Sequence, residues 1–184
     1  FPVFKAEDPI TEPVVKEVVG PDAESIMLAY RFKGAASDEI DILNVIDMIL
    51  SNRTAGLIDL NLVQKQKVLF ASSSLNDMND YSALILSGKP KEGQTLEEVR
   101  DLLLSQLELI KNGEFEDWLI PAVVNELKLN QMKAYENNNR RASAFVSAFI
   151  ANIPWKNYVE QIDRISKITK QDIISFVNKN ITDK

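Results

Sequence analysis

The sequence predicts an α+β domain of two layers, in which a mostly antiparallel sheet packs against a block of helices. Two observations predict this fold class. Segments typical of strands dominate residues 13–89, with helical segments inserted among them, whereas residues 95–180 carry helical periodicity almost throughout. The 184 residues are 45% hydrophobic and 26% charged, which is the composition of a folded domain long enough to bury a sizeable core.

The strand predictions rest on alternation and on turn residues. SIMLAYRFKG, residues 25–34, places its large apolar side chains on one face with a period of two. KVLFASSSL (67–75) and YSALILSGK (81–89) are separated by turn-forming residues, so we expect an antiparallel hairpin. A fourth strand is predicted at PVVKEVVG, residues 13–20, because the run is rich in β-branched valines.

The first helix is predicted at DILNVIDMIL, residues 41–50, with Ser37 or Asp38 as its N-cap. Its apolar residues recur at the i, i+3, i+4 and i+7 spacing of a buried helix face. The following LIDLNLVQKQK is predicted as a second short helix or turn.

The C-terminal half has clear signals for helix starts. Thr95 with Glu98, and Thr169 with Asp172, have the three-residue spacing of capping boxes. Between them, further helices are predicted over residues 116–136 and 143–150 and from Pro154 onward, with ENNNRR as an interruption. Pro121 lies inside the first of these, which predicts a late start or a bend.

The absence of two residue types excludes several kinds of active site. The chain contains no Cys and no His, which rules out disulfides, a thiolate nucleophile, a Ser-His-Asp triad and histidine-ligated zinc. The net charge of −6 argues against a nucleic-acid partner, which requires a basic surface. No apolar run approaches about 18 residues, so no membrane span is predicted.

The remaining polar clusters favour structural roles. The carboxylates of Glu114, Glu116 and Asp117 are more typical of a helix N-terminus than of a metal site. The Arg140–Arg141 pair is predicted in a solvated loop, and Ser72, Ser73 and Ser74 have no partner base. The large aromatic residues are predicted to be ordinary core, namely Trp118, Tyr135, Trp155 and Tyr158. The sequence thus predicts no catalytic, cofactor-binding or metal-ligating residue.

Four stretches, in their order along the chain, resemble one domain of the pitrilysin/insulysin family of zinc metallopeptidases. They are ESIMLAYRFKG, DILNVIDMILSNRTAGLIDLNL, TLEEVRDLLLSQLELIKNGEFEDWLIPAVVNELK and ISKITKQDIISFVNKNI. Together they cover most of residues 13–181. The resemblance implies a large peptidase built from homologous domains that enclose a substrate chamber.

The same resemblance implies that this domain is not the catalytic one. The family's zinc motif, H-x-x-E-H, supplies two ligands and the general base. Aligned without gaps, it places Asn44, Asp47 and Met48 where His, Glu and His would stand. An Arg and a Tyr that hold substrate in a non-catalytic domain of the family correspond here to Val63 and Phe70.

We therefore expect residues 1–12 to be an interdomain linker and residues 13–184 to be a single non-catalytic domain of a longer protein, its second. The expected function is structural, forming part of a peptide-binding chamber. The expected partners are the other domains of the protein and its peptide substrate, and zinc is expected only in the parent's catalytic domain. Two alternatives stay open, a scaffold domain of a catalytically dead relative and an unrelated α+β interaction module. The compartment stays open between bacterial periplasm and cytoplasm.

Overall fold

A computed structural model describes residues 7–8 and 10–182 of the chain, and within them three strands and seven α-helices. The strands are β1 (Ile26–Lys33), β2 (Phe70–Asp77) and β3 (Tyr81–Lys89). The helices are α1 (Glu39–Leu50), α2 (Leu96–Lys111), α3 (Leu119–Tyr135), α4 (Asn138–Ile150), α5 (Trp155–Val159), α6 (Gln161–Ile165) and α7 (Lys170–Asn180), and a π-helical turn at Asp59–Val63 lies between α1 and β2.

The three strands form one antiparallel sheet in the order β1-β3-β2. The central strand β3 alternates as predicted, with Ser82, Leu84, Leu86 and Gly88 buried and the residues between them only half-buried. Helices α1 and α2 pack on the buried face, and α7 packs beside α2. The predicted α+β class, with an antiparallel sheet against helices, is confirmed.

The core is centred on α1. Val45, Ile46, Ile49 and Leu50 are completely buried, as the periodicity predicts. Ile42 is only half-buried, because it lies at the edge of the stripe. The same core continues into α2 and α7, where the fully buried side chains are Val99, Leu103, Ile110, Ile173 and Val177.

The predicted capping boxes at the starts of α2 and α7 are confirmed. The Thr95 hydroxyl accepts from the N–H of Glu98, whose carboxylate accepts in return from the N–H of Thr95. Thr169 and Asp172 make the same reciprocal pair. Pro121 lies in the first turn of α3, where a missing N–H leaves no helical bond unmade, so the helix starts late as predicted.

A buried ion pair joins α1 to α6. Asp41 is 7% exposed, and one of its carboxylate oxygens accepts from the Arg164 Nε at 2.7 Å. The other oxygen accepts from the Gln161 side-chain amide at 3.0 Å. Both carboxylate oxygens are therefore satisfied, as burial of a charge requires.

The predicted strand at residues 13–20 is wrong. The segment pairs with no strand of the described sheet, and Val14, Val15, Val18 and Val19 are 67–91% exposed. A preference for strand depends on a neighbouring strand and a surface to pack on, and these valines have neither. Most of the predicted linker, residues 1–6 and 9, lies outside the described residues.

Two further predictions need correction in the helical half. The ENNNRR segment interrupts the helices as predicted, but only over residues 136–137, because Asn137 caps α4 and that helix begins at Asn138 and not at residue 143. Trp118 and Trp155 are not core residues, since they are 53% and 40% exposed. Trp155 instead stacks on Phe145 and Tyr158 at the surface.

The loop after α1 is closed so tightly that it requires glycine at position 56. Asp59 accepts from the Ser51 hydroxyl at 3.1 Å and the Asn52 N–H at 2.8 Å. A Cβ on Gly56 would lie 2.6 Å from the Leu50 carbonyl oxygen and 2.7 Å from the Ser51 Cα.

We expect Gly56→Ala to lower the free energy of unfolding by about 1–3 kcal/mol, because backbone atoms cannot rotate away from the added methyl. Gly20→Ala is the matched control, since nothing lies within 4 Å of its Cβ position, and it should change stability by less than about 0.5 kcal/mol. Urea denaturation measures both variants. Equal midpoints for the two would contradict this account of the loop.

Candidate functional site

Helix α1 carries the three residues that align with the zinc motif, and none of them is free for chemistry. Asn44, Asp47 and Met48 are all half-buried on this helix. The Asn44 side-chain amide donates to the Ile40 carbonyl at 2.8 Å. Met48 packs against the hydrophobic core.

Asp47 connects α1 to the edge strand β2. One carboxylate oxygen accepts from the Ser73 hydroxyl at 2.5 Å, and the other accepts from the backbone N–H of Leu75 at 3.3 Å. Because β2 is an edge strand, this N–H would otherwise lack a partner in the sheet. Asp47 thus covers the sheet edge, which natural proteins usually protect from unwanted strand pairing.

Burial raises the pKa of the Asp47 carboxyl above its ordinary value of 3.8, and the bonds from Ser73 and Leu75 only partly offset that effect. A carboxyl with such partners is positioned to hold two elements together. It is not positioned to activate water, because both of its oxygens are engaged within the fold.

The residues that align with the family's substrate-holding pair are both exposed. Val63 ends the π-helical turn and is 39% exposed, and Phe70 begins β2 and is 47% exposed. Neither side chain has a group that could donate a hydrogen bond to a peptide. The structure therefore has neither an Arg nor a Tyr side chain at these two positions.

The polar clusters have structural surroundings, although Arg140 and Arg141 lie in a helix and the prediction of a loop for them is wrong. Lys170 binds Asp117 at 2.8 Å and the Phe115 carbonyl at 2.7 Å, which ties the start of α7 to the loop before α3. Ser73 binds Asp47, as described above. Arg140 and Arg141 are exposed in the first turns of α4, where Arg141 contacts the Asn138 side chain.

The described residues do not fit a zinc site. The chain has no His or Cys, and across residues 7–8 and 10–182 no three Asp or Glu side chains come close enough to hold a metal ion. In the same part of the chain, no helix has the length and apolar character needed to cross a bilayer.

Comparison with known proteins agrees with this geometry. The sequence-family model described as the peptidase M16 inactive domain matches residues 2–127, which is more than half of the chain. The chain belongs to the peptidase M16 family. The predicted resemblance to zinc metallopeptidases of this kind, and to a non-catalytic domain among them, is confirmed. No curated protein sequence matches the chain.

Several solved structures share the fold at low sequence identity. A protease from Helicobacter pylori is 16% identical with a TM-score of 0.81, and the match covers 86% of this chain and 38% of that one. An inactive peptidase domain from Bordetella parapertussis is 14% identical with a TM-score of 0.75, covering 90% and 91% of the two chains. A chain of complex III from Candida albicans is 12% identical with a TM-score of 0.70, covering 84% and 39%. The M16 domain described here thus spans about two fifths of the Helicobacter protease.

Family membership excludes one of the alternatives. An unrelated α+β interaction module is wrong as a description of this M16 domain. What sequence reasoning missed is the role of the polar residues on α1, because the partners of Asp41 and Asp47 lie 123 and 26 residues away in the chain. No local pattern of residues signals such pairs.

The pH dependence of stability tests the role of Asp47. Since its pKa is raised in the folded state, the folded protein binds a proton before the unfolded chain does. The cost of the buried charge is present at neutral pH and is relieved as the pH falls through the raised pKa toward 3.8. Relative to Asp47→Asn, the native protein should therefore become more stable as the pH falls from 7 toward 4, which urea denaturation at several pH values measures.

Asp172→Asn is the control with the opposite sign. Hydrogen bonds from the Thr169 hydroxyl and backbone N–H lower the pKa of Asp172 below 3.8. The contribution of Asp172 to stability is therefore present at neutral pH and is lost as the pH falls through the lowered pKa. If the difference in unfolding free energy between the native protein and Asp47→Asn stays constant between pH 7 and 4, the Asp47 carboxyl is not buried as described.

Proposed function

We propose that this M16 domain is a non-catalytic, structural part of a zinc metalloendopeptidase and forms one wall of its peptide-binding chamber. The observation that carries the proposal is the combination of two features of the same domain. In the ungapped alignment, helix α1 carries the residues that correspond to the zinc motif, and their polar side chains are engaged in the fold. The sheet beside it has one face that helices α1 and α2 leave open.

The open face is defined by the side chains opposite the buried ones of β3. Three side chains that are direct partners in the sheet form one row across this face, namely Ala29 on β1, Ile85 on β3 and Ser74 on β2. The neighbouring row contains Met27, Ser87 and Ser72. Most of these side chains are small, and a flat surface with hydroxyl groups is suited to an extended peptide, whose backbone groups can bond to serines.

One corner of the open face is occupied by the chain itself. The Tyr81 hydroxyl donates to the Glu7 carbonyl at 2.6 Å, and Arg31 donates to the Asp8 carbonyl at 2.7 Å while stacking on the Tyr81 ring. The segment that precedes β1 is thereby fixed at the margin. The rows of small residues beyond this corner are left for a ligand.

In this proposal the parent's zinc lies in another domain, the one that directly precedes residues 13–184, and residues 1–12 connect the two. The partners are then the other domains of the same polypeptide and the peptide held between them. The domain positions the catalytic one and limits which peptides enter.

A second function is favoured by one observation, the likeness to a chain of complex III from Candida albicans. A parent of that kind would use this domain as a scaffold for partner subunits, without peptidase activity. Zinc content and peptide hydrolysis of the whole protein distinguish the two, since only a peptidase has both.

The 184-residue chain alone should show neither zinc binding nor peptidase activity, because it has no imidazole or thiolate ligand. Elemental analysis after dialysis against zinc measures the first, and cleavage of a fluorogenic peptide measures the second. One tightly bound zinc per chain would contradict the assignment of a non-catalytic role.

Bulky substitutions on the open face test the chamber wall in the whole protein. We expect Ala29→Trp and Ser74→Trp to raise KM for peptide by about tenfold, equivalent to about 1.4 kcal/mol of lost binding, at unchanged zinc content. Glu97→Trp, on an exposed position of α2, is the matched control and should leave KM unchanged. The same KM for all three variants and the native protein would remove the open face from the chamber.

A further inference from the structure

The side chains on the open face of the sheet include no acidic group. Among the residues of β1, β2 and β3 that point to this side, Arg31, Lys33 and Lys89 are basic and none is acidic. The whole chain has 27 Asp and Glu residues against 21 Lys and Arg. The charge of this face is therefore opposite in sign to the charge of the protein.

Lys89 is the cation of this face that has no ionic partner. Lys33 lies 2.8 Å from the Glu39 carboxylate, and Arg31 lies 3.4 Å from the Glu7 carboxylate. Lys89, by contrast, is exposed at the end of β3 and forms no ion pair with any described residue. Its charge is available to a ligand.

Two loops join beside Lys89. The loop before β2 meets the loop after β3 where the backbone N–H of Leu69 donates to the Lys89 carbonyl at 3.0 Å. The Gln94 side-chain amide donates to the Lys67 carbonyl, also at 3.0 Å. These bonds hold the two loops side by side at one end of the sheet.

The joined loops add three lysines to this end. Lys65, Lys67 and Lys91 are exposed, and Glu92 is the single carboxylate of the two loops. We call Lys65, Lys67, Lys89 and Lys91 the basic end of the open face. Clustered charges of one sign raise the local concentration of a ligand of the opposite sign.

The rows of the sheet have the same period as an extended peptide. Alternate side chains of an extended chain lie about 6.8 Å apart, and so do alternate residues along β3. A peptide side chain over the row of Lys89 and Phe70 is thus followed, two residues on, by one over the row of Met27 and Ser87. Phe70 and Met27 are both exposed, so apolar side chains of a peptide have contacts there.

We propose that the basic end selects peptides with an Asp or Glu side chain at that point, followed at alternate positions by apolar residues over the rows of small side chains. Opposite charges across an interface set specificity more than raw affinity. The inference rests on the proposed function, because it assigns a class of peptide to the open face of the chamber wall. The carboxylate contacts Lys89, and the next inward-facing side chain contacts Met27.

The net charge of −6 does not oppose this selection. Exposed charges farther apart than the Debye length, about 8 Å at physiological salt, are largely screened. The Glu7 carboxylate binds Arg31, whose row lies six residues along β3 from Lys89, or about 20 Å. A peptide fits better than a nucleic acid, because the lysines border a flat face with uncharged side chains instead of a continuous basic stripe.

Peptide binding to the 184-residue chain tests the selection by charge. Short dye-labelled peptides, amidated at the C-terminus, carry Glu, Gln or Lys at one position and are otherwise identical. By fluorescence anisotropy at low salt, we expect the Glu peptide to bind about fivefold more tightly than the Lys peptide. The preference should fade in about 1 M salt, where the Debye length falls to about 3 Å.

The double variant Lys67→Glu/Lys89→Glu should remove or reverse the preference for Glu. Lys128→Glu/Lys133→Glu is the matched control, since it makes the same change in net charge at exposed positions of α3, and it should keep the preference. Equal binding of the Glu and Lys peptides to the native chain, or a preference that survives the double variant, would overturn the inference.

Met27→Ser tests the apolar contact. It should weaken the binding of a peptide with Leu two positions from Glu by roughly threefold, because less apolar surface is buried. An analogue with Ala in place of Leu should bind both proteins equally. The same loss for the Leu and Ala peptides would remove Met27 from the recognition of the side chain.

Ala29→Trp separates failure of this inference from failure of the proposed function. It should weaken all the peptides alike, because it blocks the face without changing its charge. If it does so while the double lysine variant leaves the preference intact, the face binds peptide and only the selection by charge is wrong. If Ala29→Trp has no effect either, the open face is not a peptide site. A DNA oligonucleotide that displaces the peptide, with no preference for Glu over Lys, would assign the basic end to nucleic acid instead.

Discussion

The hydrogen bonds that Asp47 accepts from β2 tie the central helix to the edge of the sheet, and the rest of the fold is arranged around that contact. At the other end of α1, Asp41 is bound by Arg164 and Gln161 of α6. Between the two carboxylates lies the fully buried apolar stripe. One helix thus connects the sheet, the core and the C-terminal helices, and each of its faces has a partner. A change at Asp47 or Asp41 affects a contact between layers, because both partners belong to other elements.

The parts of the fold that could be predicted from sequence are those specified by local chemistry. Alternation identified β1 and β3, and the Thr95 and Thr169 boxes marked the starts of α2 and α7, because capping bonds form within a few residues of the chain. The strand at residues 13–20 was wrong because the valine pattern carries no information about a pairing partner. Trp118 and Trp155 were assigned to the core for a similar reason, since apolar character does not report which face a neighbouring element covers.

Two exposed surfaces of the described residues differ in kind. The open face of the sheet has small side chains and hydroxyls, such as Ala29 and Ser74. Helix α4 instead exposes Phe149 and, beside it, Phe145 stacked on Trp155, and large aromatic side chains are enriched at protein interfaces.

Helix α1 is held both by its apolar stripe, which fills the core, and by two carboxylates that bond to other elements. Because Asp47 satisfies both Ser73 and the Leu75 N–H, even a conservative change at this position has a cost. Asp47→Glu would move the carboxylate by one methylene and leave an edge N–H without its acceptor, and a buried donor without a partner costs about 1–3 kcal/mol.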